Sequence, residues 1–148
     1  LQAEIQACLK RVESCVDNES SWNYLRALLA NLNCARSSAS FVEYPQAVLD
    51  FCKARLGPDR RDEERSPFLL AFVVDYNLAK AKALQEQLKS STGDQLPASA
   101  DQTRDAIKSL TRESLELLEK LANKYDTIRV NYWNYLSAKW KQQFSEYV

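Results

Sequence analysis

The chain has 148 residues, the length of one domain with a sizeable core. Its 20 basic and 20 acidic residues give a formal net charge of zero, so charge gives no argument for nucleic acid or an acidic membrane surface as a partner. It has no His, only 2 Gly and no Cys-x-x-Cys pair, which excludes a Gly-rich phosphate loop and the usual spacing of a zinc site.

No apolar run is long enough to cross a membrane, and the N-terminus does not have the pattern of a signal peptide. Without any Met, and beginning at Leu1, the chain is expected to be part of a larger protein.

Apolar residues recur at helical spacing over residues 1–16, which predicts a first helix. Its stripe consists of Leu1, Ile5, Cys8, Leu9, Val12 and Val16. Asn18 is placed to cap a second helix, with Glu19 in the first turn, where a carboxylate is favourable. The inner face of this second helix is predicted to contain Trp22, Leu25, Leu29 and Leu32. The short break between the two helices predicts an antiparallel hairpin.

The middle of the chain predicts two more helices. Residues 33–43 are predicted to be a loop, and Pro45 suits the first turn of a third helix that ends at Gly57-Pro58. The inner face of that helix is predicted to contain Val48, Leu49, Cys52 and Leu56. The mixed charges of 59–65 predict a solvated loop.

Segment 68–74 is apolar throughout, a pattern that fits a buried strand or a buried helix. We favour a helix, opened by Ser66-Pro67, because the segment continues without a break into alanines and leucines among Lys and Gln. A helix that is apolar on every side is expected to be buried between neighbours.

The last part of the chain predicts a polar loop over 90–100 and then a third helical hairpin. The fifth helix has its apolar stripe at Ile107, Leu110, Leu117, Leu118 and Leu121. The sixth is predicted to begin near Asp126 and to have its stripe at Ile128, Tyr132, Tyr135, Leu136 and Trp140. We therefore expect an all-α protein, 1–148, that forms a single helical-repeat domain.

The tetrapeptide Trp-Asn-Tyr-Leu occurs at 22–25 and again at 133–136. Such a repetition indicates an internal repeat built from helical hairpins, an architecture that usually presents a surface to a partner. Trp22 and Trp133 are candidates for partner contacts, but we favour a structural role in which each ring holds its hairpin against the next. Arg129 is expected to pair with Asp126, three residues earlier. Two further motif residues are predicted to serve packing: Tyr24 and Tyr135.

The cysteines Cys8, Cys15, Cys34 and Cys52 are predicted to be small core residues in a reducing compartment, which fits a cytoplasmic location.

The segment 18–25, Asn-Glu-Ser-Ser-Trp-Asn-Tyr-Leu, resembles the late repeat of the alpha subunit shared by protein farnesyltransferase and geranylgeranyltransferase type I. Three further segments resemble that subunit in the same order, up to about residue 136. They are Tyr44-Pro45, the apolar segment 66–75, and Asp126-Thr127-Ile128-Arg129 followed by Tyr132-Trp133. The repeat-motif residues by this resemblance are Asn18, Trp22, Asn23, Tyr24, Asp126, Arg129, Tyr132 and Trp133.

The resemblance implies an alpha-alpha superhelix of antiparallel hairpins, from the C-terminal part of the subunit. It implies a beta subunit as the partner, and a complete heterodimer that transfers a farnesyl or geranylgeranyl group from its diphosphate to the Cys of a C-terminal Cys-a-a-X sequence. Zinc is expected on the beta subunit, and magnesium in the complete enzyme. Because the chain has no His, the family's Asn-Tyr-His element is absent, so no catalytic, cofactor or metal residue is carried over and this segment alone is expected to be inactive.

The alternative is a generic helical-repeat adaptor that binds some other protein. A tetratricopeptide array would repeat strictly every 34 residues. The two Trp-Asn-Tyr-Leu copies are instead separated by the whole middle hairpin, which carries no third copy. A small free-standing enzyme is disfavoured because no metal motif and no nucleophile-base pairing is present.

Overall fold

The computed structural model describes residues 1–34, 41, 43–57, 65–90 and 99–148. These residues form helices and no strand, which confirms the all-α prediction. The helices are α1 (Gln2–Ser14), α2 (Glu19–Cys34), α3 (Gln46–Leu56), α4 (Pro67–Ser90), α5 (Ser99–Lys120) and α6 (Val130–Gln143). None of the described helices combines the length and the apolarity needed to span a lipid bilayer. The chain divides into two compact units, 1–72 and 73–148.

In the first unit, α1 packs against α2 and α3. The predicted α1 stripe is confirmed at its centre and is exposed at Leu1. The apolar core of this unit is made of Ile5, Cys8, Leu9, Val12, Trp22, Leu25, Leu28, Leu29, Val48, Cys52, Leu69, Leu70 and Phe72. Arg55 is buried in this unit, and its guanidinium pairs with the Glu13 carboxylate at 3.1 Å and lies over the Phe51 ring.

The ambiguous segment 68–74 is helical, because α4 runs from Pro67 to Ser90 without interruption. Ser66 caps this helix: its buried hydroxyl oxygen accepts a hydrogen bond from the Leu69 backbone N–H at 3.2 Å. Pro67 takes the first helical position, where its missing N–H costs nothing. Pro45, by contrast, lies just before α3, and its carbonyl oxygen accepts the first hydrogen bonds of that helix.

In the second unit, α5 packs against α6, against the turn Leu121–Tyr125 and against the turn Ser145–Tyr147. A single π-helical turn (Leu121–Tyr125) follows α5, a 3-10 turn (Thr127–Arg129) leads into α6, and a second 3-10 turn (Ser145–Tyr147) follows it. The apolar core of this unit is made of Val73, Val74, Tyr76, Ala81, Ala100, Ile107, Leu117, Leu118, Leu121, Ala122, Trp133, Trp140 and Phe144. A buried polar pair lies within it, where the Asn77 amide donates to the Ser114 hydroxyl at 3.2 Å.

Two sequence predictions for this unit are wrong in part. Of the predicted loop over 90–100, residues 91–98 lie outside the described residues, and its end is wrong because α5 already begins at Ser99. The predicted inner stripe of the sixth helix is wrong at Ile128, Tyr132 and Tyr135, which are exposed. The prediction is correct for Trp140, which is buried, and the other buried residue of α6 is Trp133 rather than Tyr132; Phe144 follows in the same core. Tyr132 and Trp133 are adjacent, about 100° apart around a helix, so spacing alone did not choose between them.

Candidate functional site

The first Trp-Asn-Tyr-Leu copy lies near the start of α2, and its tryptophan is buried. Trp22 is only 1% exposed, and its indole N–H donates a hydrogen bond to the Val16 carbonyl oxygen at 2.8 Å. Its ring contacts Phe51 of α3 with centroids 6.5 Å apart, and Phe72 of α4 with centroids 5.4 Å apart. These distances are typical of favourable aromatic pairs. Trp22 therefore joins three helices of the first unit and the turn before its own helix.

Asn18 caps this helix, as the sequence predicts. Its side-chain oxygen accepts a hydrogen bond from the Ser20 backbone N–H at 3.1 Å, and its own carbonyl accepts from the Ser21 N–H. A capped start fixes the first turn of α2, and the first turn fixes the direction of Trp22.

The second copy lies at the start of α6 and repeats this arrangement with a different acceptor. Trp133 is buried, and its indole N–H donates to a carboxylate oxygen of Asp126 at 3.2 Å. The same oxygen lies 3.8 Å from the guanidinium of Arg129, which confirms the predicted ion pair. In both copies, therefore, the indole reaches back six or seven residues to the turn before its helix.

The asparagine and the tyrosine of each copy face outward, whereas Leu25 is buried. The prediction that Tyr24 and Tyr135 serve packing is wrong, because half of each side chain is exposed. Each tyrosine follows its tryptophan by two residues, which is about 200° around the helix, so burial of the one exposes the other. Asn23 is exposed as well, and so is Tyr132, whose ring packs on Trp133 with centroids 4.9 Å apart.

The cysteines only partly fit their prediction. Cys8 and Cys52 are buried, as expected for small core residues, and burial raises the pKa of the Cys8 thiol and raises the pKa of Cys52 to about 12. Cys15 is exposed, because it lies beyond the last residue of α1 and outside the helical stripe. The Cys34 side chain lies outside the described part of the structure. In the described part, no group of three or more His, Cys, Asp or Glu side chains is arranged to hold a metal ion.

A groove of about 820 Å³ lies on the outside of the second unit, between α5, α6 and the final 3-10 turn. It is lined by three cations and three carboxylates: Lys108, Arg112, Lys141, Asp105, Glu116 and Glu119. Thr111 also lines it, and its hydroxyl is buried without a hydrogen-bond partner. The equal numbers of opposite charges favour neither an anion nor a cation. No sequence pattern indicated this groove, because its lining residues share no motif.

Comparison with known protein families adds no identification, because no protein-family model matches the chain.

Proposed function

We propose that this chain is a non-catalytic scaffold portion of the alpha subunit of a heterodimeric protein prenyltransferase. The complete enzyme would transfer farnesyl or geranylgeranyl from its diphosphate to the Cys of C-terminal Cys-a-a-X sequences. The proposal rests on the resemblance of segments 18–25, 66–75 and 126–133 to that subunit. It includes the superhelix of antiparallel hairpins and a cytoplasmic location.

One structural observation supports it above the others. Both Trp-Asn-Tyr-Leu copies use the same construction, with an indole hydrogen-bonded inside the protein and a tyrosine outside it. A buried residue that fixes each helix start, with an exposed side chain on the other side of the same helix, fits a repeat scaffold that presents a surface to a partner. The two motif tryptophans have structural roles in this proposal, and the chemistry belongs to the partner, with zinc on the beta subunit and magnesium in the complete enzyme.

The alternative function is a generic helical-repeat adaptor for another protein. The same exposed tyrosines favour it equally, because they are suited to protein contacts whatever the partner is. The two functions differ in the identity of the partner, and that difference can be measured.

The test is to add a prenyltransferase beta subunit to the chain carrying the upstream repeats and to record the melting temperature. Binding to the folded state raises the melting temperature by mass action, so a rise that depends on beta-subunit concentration is expected. An unrelated helical protein of similar net charge serves as the control. A melting temperature that does not respond to the beta subunit would leave the adaptor as the better description.

A further inference from the structure

The groove between α5, α6 and the final 3-10 turn has its charges sorted by sign along its length. Helix α6 follows α5 through the turns over 121–129, packs against it, and is followed by a turn that also contacts α5. The last half of α6 therefore lies beside the first half of α5. The groove accordingly has a cationic end and an acidic end, lined by Lys108, Arg112 and Lys141 and by Glu116 and Glu119 respectively.

These charges do not neutralise one another within the protein. In the described part of the chain, none of the five side chains forms an ion pair with another of them. Arg112 and Glu116 are four residues apart on α5, but an arginine that precedes its carboxylate is the less favourable order for such a pair. Asp105 lies one turn before Lys108, beyond the cationic end, and lowers the net charge there without reversing it. The charges of both ends are exposed and available to a ligand.

The groove also contains a buried hydroxyl that the fold does not use. Thr111 is 1% exposed and lines the groove between Lys108 and Glu116, and its Oγ1 has no hydrogen-bond partner among the described residues. A buried hydroxyl without a partner destabilises the fold, so a ligand that bonds it gains an interaction that the protein itself does not make. Other side chains that can both donate and accept hydrogen bonds complete the lining: Ser109, Asn123, Asn134 and Ser137.

The length of the groove fits an extended peptide. Residues 108 and 119 are 11 positions apart on α5, which corresponds to about 16 Å along the helix. An extended chain advances about 3.3 Å per residue, so about five residues span this distance. The volume of about 820 Å³ is in the range of ligand sites. A ligand that reaches both ends must carry charges of opposite sign far apart.

We propose that this groove binds an extended peptide segment of a partner protein, with acidic side chains at one end and basic side chains about five residues away. The acidic side chains lie at the cationic end, where the Arg112 guanidinium can bond a carboxylate through two N–H groups. The basic side chains lie at the acidic end, and the peptide backbone between them bonds the Thr111 hydroxyl. Leu115 and Tyr147 add apolar contacts, and the Tyr147 ring is held against Phe144 with centroids 6.4 Å apart.

The inference goes beyond the proposed function and does not depend on it, because it uses only the residues of this groove. Three other occupants fit less well. A second copy related by two-fold symmetry matches the cationic end to the acidic end, but two concave surfaces that face each other leave the grooves unfilled. The phosphates of a nucleic acid or an anionic membrane meet the carboxylates of Glu116 and Glu119. A free amino acid is too short, since Arg112 and Glu119 are about 10 Å apart along α5.

The test compares blocked synthetic peptides of one composition by isothermal titration calorimetry with the chain. The separated peptide is Asp-Asp-Ser-Ala-Ser-Lys-Lys, made in both chain directions, and the mixed peptide Asp-Lys-Ser-Ala-Ser-Asp-Lys has both signs at each end. All have the same net charge, so only the order of the charges differs. Salt at about 0.1 M screens charges more than about 10 Å away. The variants are Arg112→Gln, Glu119→Gln and Thr111→Val, with Lys120→Gln as the matched control, because it removes a charge from α5 outside the groove lining.

We expect the better of the two separated peptides to bind roughly threefold to tenfold more tightly than the mixed peptide, as for two or three exposed ion pairs. Arg112→Gln and Glu119→Gln should each raise its Kd roughly twofold to fivefold, and Lys120→Gln should leave it nearly unchanged. Thr111→Val should raise Kd about twofold to tenfold without lowering the melting temperature, because valine keeps the shape and removes the buried hydroxyl.

Equal Kd for the separated and mixed peptides, or no binding of either, would overturn the proposal. Equal effects of Arg112→Gln and Lys120→Gln would overturn it too, because they would show attraction at a distance without contact. An unchanged Kd in Thr111→Val would do the same, since a hydroxyl that only bonds its own helix has no part in binding.

The other occupants have their own readouts. Self-association of the chain that Arg112→Gln abolishes would assign the groove to a second copy and overturn the proposal. Free lysine that displaces the peptide at the peptide's own concentration would assign it to a small zwitterion, with the same consequence. No beta subunit enters these measurements, so their outcome leaves the proposed function untouched.

Discussion

Replacement of Trp22 by Ala tests the structural role of the first motif copy. A tryptophan buries about 150–250 Å², and at about 25 cal/mol per Å² this corresponds to roughly 4–6 kcal/mol. That figure is an upper bound, since the denatured chain already covers part of the ring. Measured truncations of buried aromatic residues fall at about 3–5 kcal/mol, which includes the cavity. Loss of the hydrogen bond to the Val16 carbonyl also lowers the free energy of unfolding.

We therefore expect Trp22→Ala to lower the free energy of unfolding by about 4 kcal/mol, measured by urea titration with circular dichroism. Trp22→Phe keeps a ring against Phe51 and Phe72 but removes the N–H donor, and should cost about 1–2 kcal/mol. Tyr24→Ala is the matched control from the same motif, because its half-exposed ring should cost under about 1 kcal/mol. Equal costs for Trp22→Ala and Tyr24→Ala would refute the structural role. An unchanged stability together with lost heterodimer formation would make Trp22 an interface anchor instead.

Three further predictions concern the Asn18 cap of α2, the Asp126 carboxylate that accepts from Trp133, and the buried Cys52 thiol. Asn18→Ala should lower the free energy of unfolding by about 1 kcal/mol, and Asn18→Ser by less, because serine restores a side-chain acceptor; urea titration checks both. Asp126→Ala removes the acceptor of the Trp133 indole and should cost about 1–3 kcal/mol, visible as a red shift and a faster quenching of tryptophan fluorescence; an unchanged spectrum would contradict the assigned hydrogen bond. Burial raises the pKa of Cys52 from 9.0 to about 12, so the unfolded chain loses this proton first. The stability contributed by the protonated thiol is full below pH 9 and is lost as the pH rises towards 12. The stability difference between Cys52→Ala and the unmodified chain should accordingly change between pH 8 and pH 11, and iodoacetamide at pH 8 should modify Cys15 before Cys52, as followed by mass spectrometry.

The helices were predictable from the sequence wherever a start signal and a clear stripe coincide. Asn18 before α2 and Ser66-Pro67 before α4 each supply a helix start that the structure uses. The choice of helix for 68–74 was also correct, because no turn-forming residue separates this apolar segment from the helix-forming residues that follow it. The predicted charged loop over 59–65 lies outside the described residues except for Arg65, which donates a hydrogen bond to the Gly57 carbonyl.

The rotation of α6 was not predictable from spacing. Tyr132 and Trp133 are adjacent aromatic residues, and the side of α6 that packs against α5 carries Trp133, whose indole N–H donates to Asp126. The π-helical turn at Leu121–Tyr125 contributes to this, since it shifts the chain by one residue before α6 begins. The charged groove between α5 and α6 depends on packing between distant segments, for which the sequence has no periodic signal.

Assembly of this chain with a prenyltransferase beta subunit is the proposal on which the other functional expectations depend. Sedimentation velocity of the chain mixed with an equimolar prenyltransferase beta subunit measures this assembly. We expect one species with the mass of a 1:1 complex. Two separate boundaries with the masses of the free chains would refute the proposed assembly.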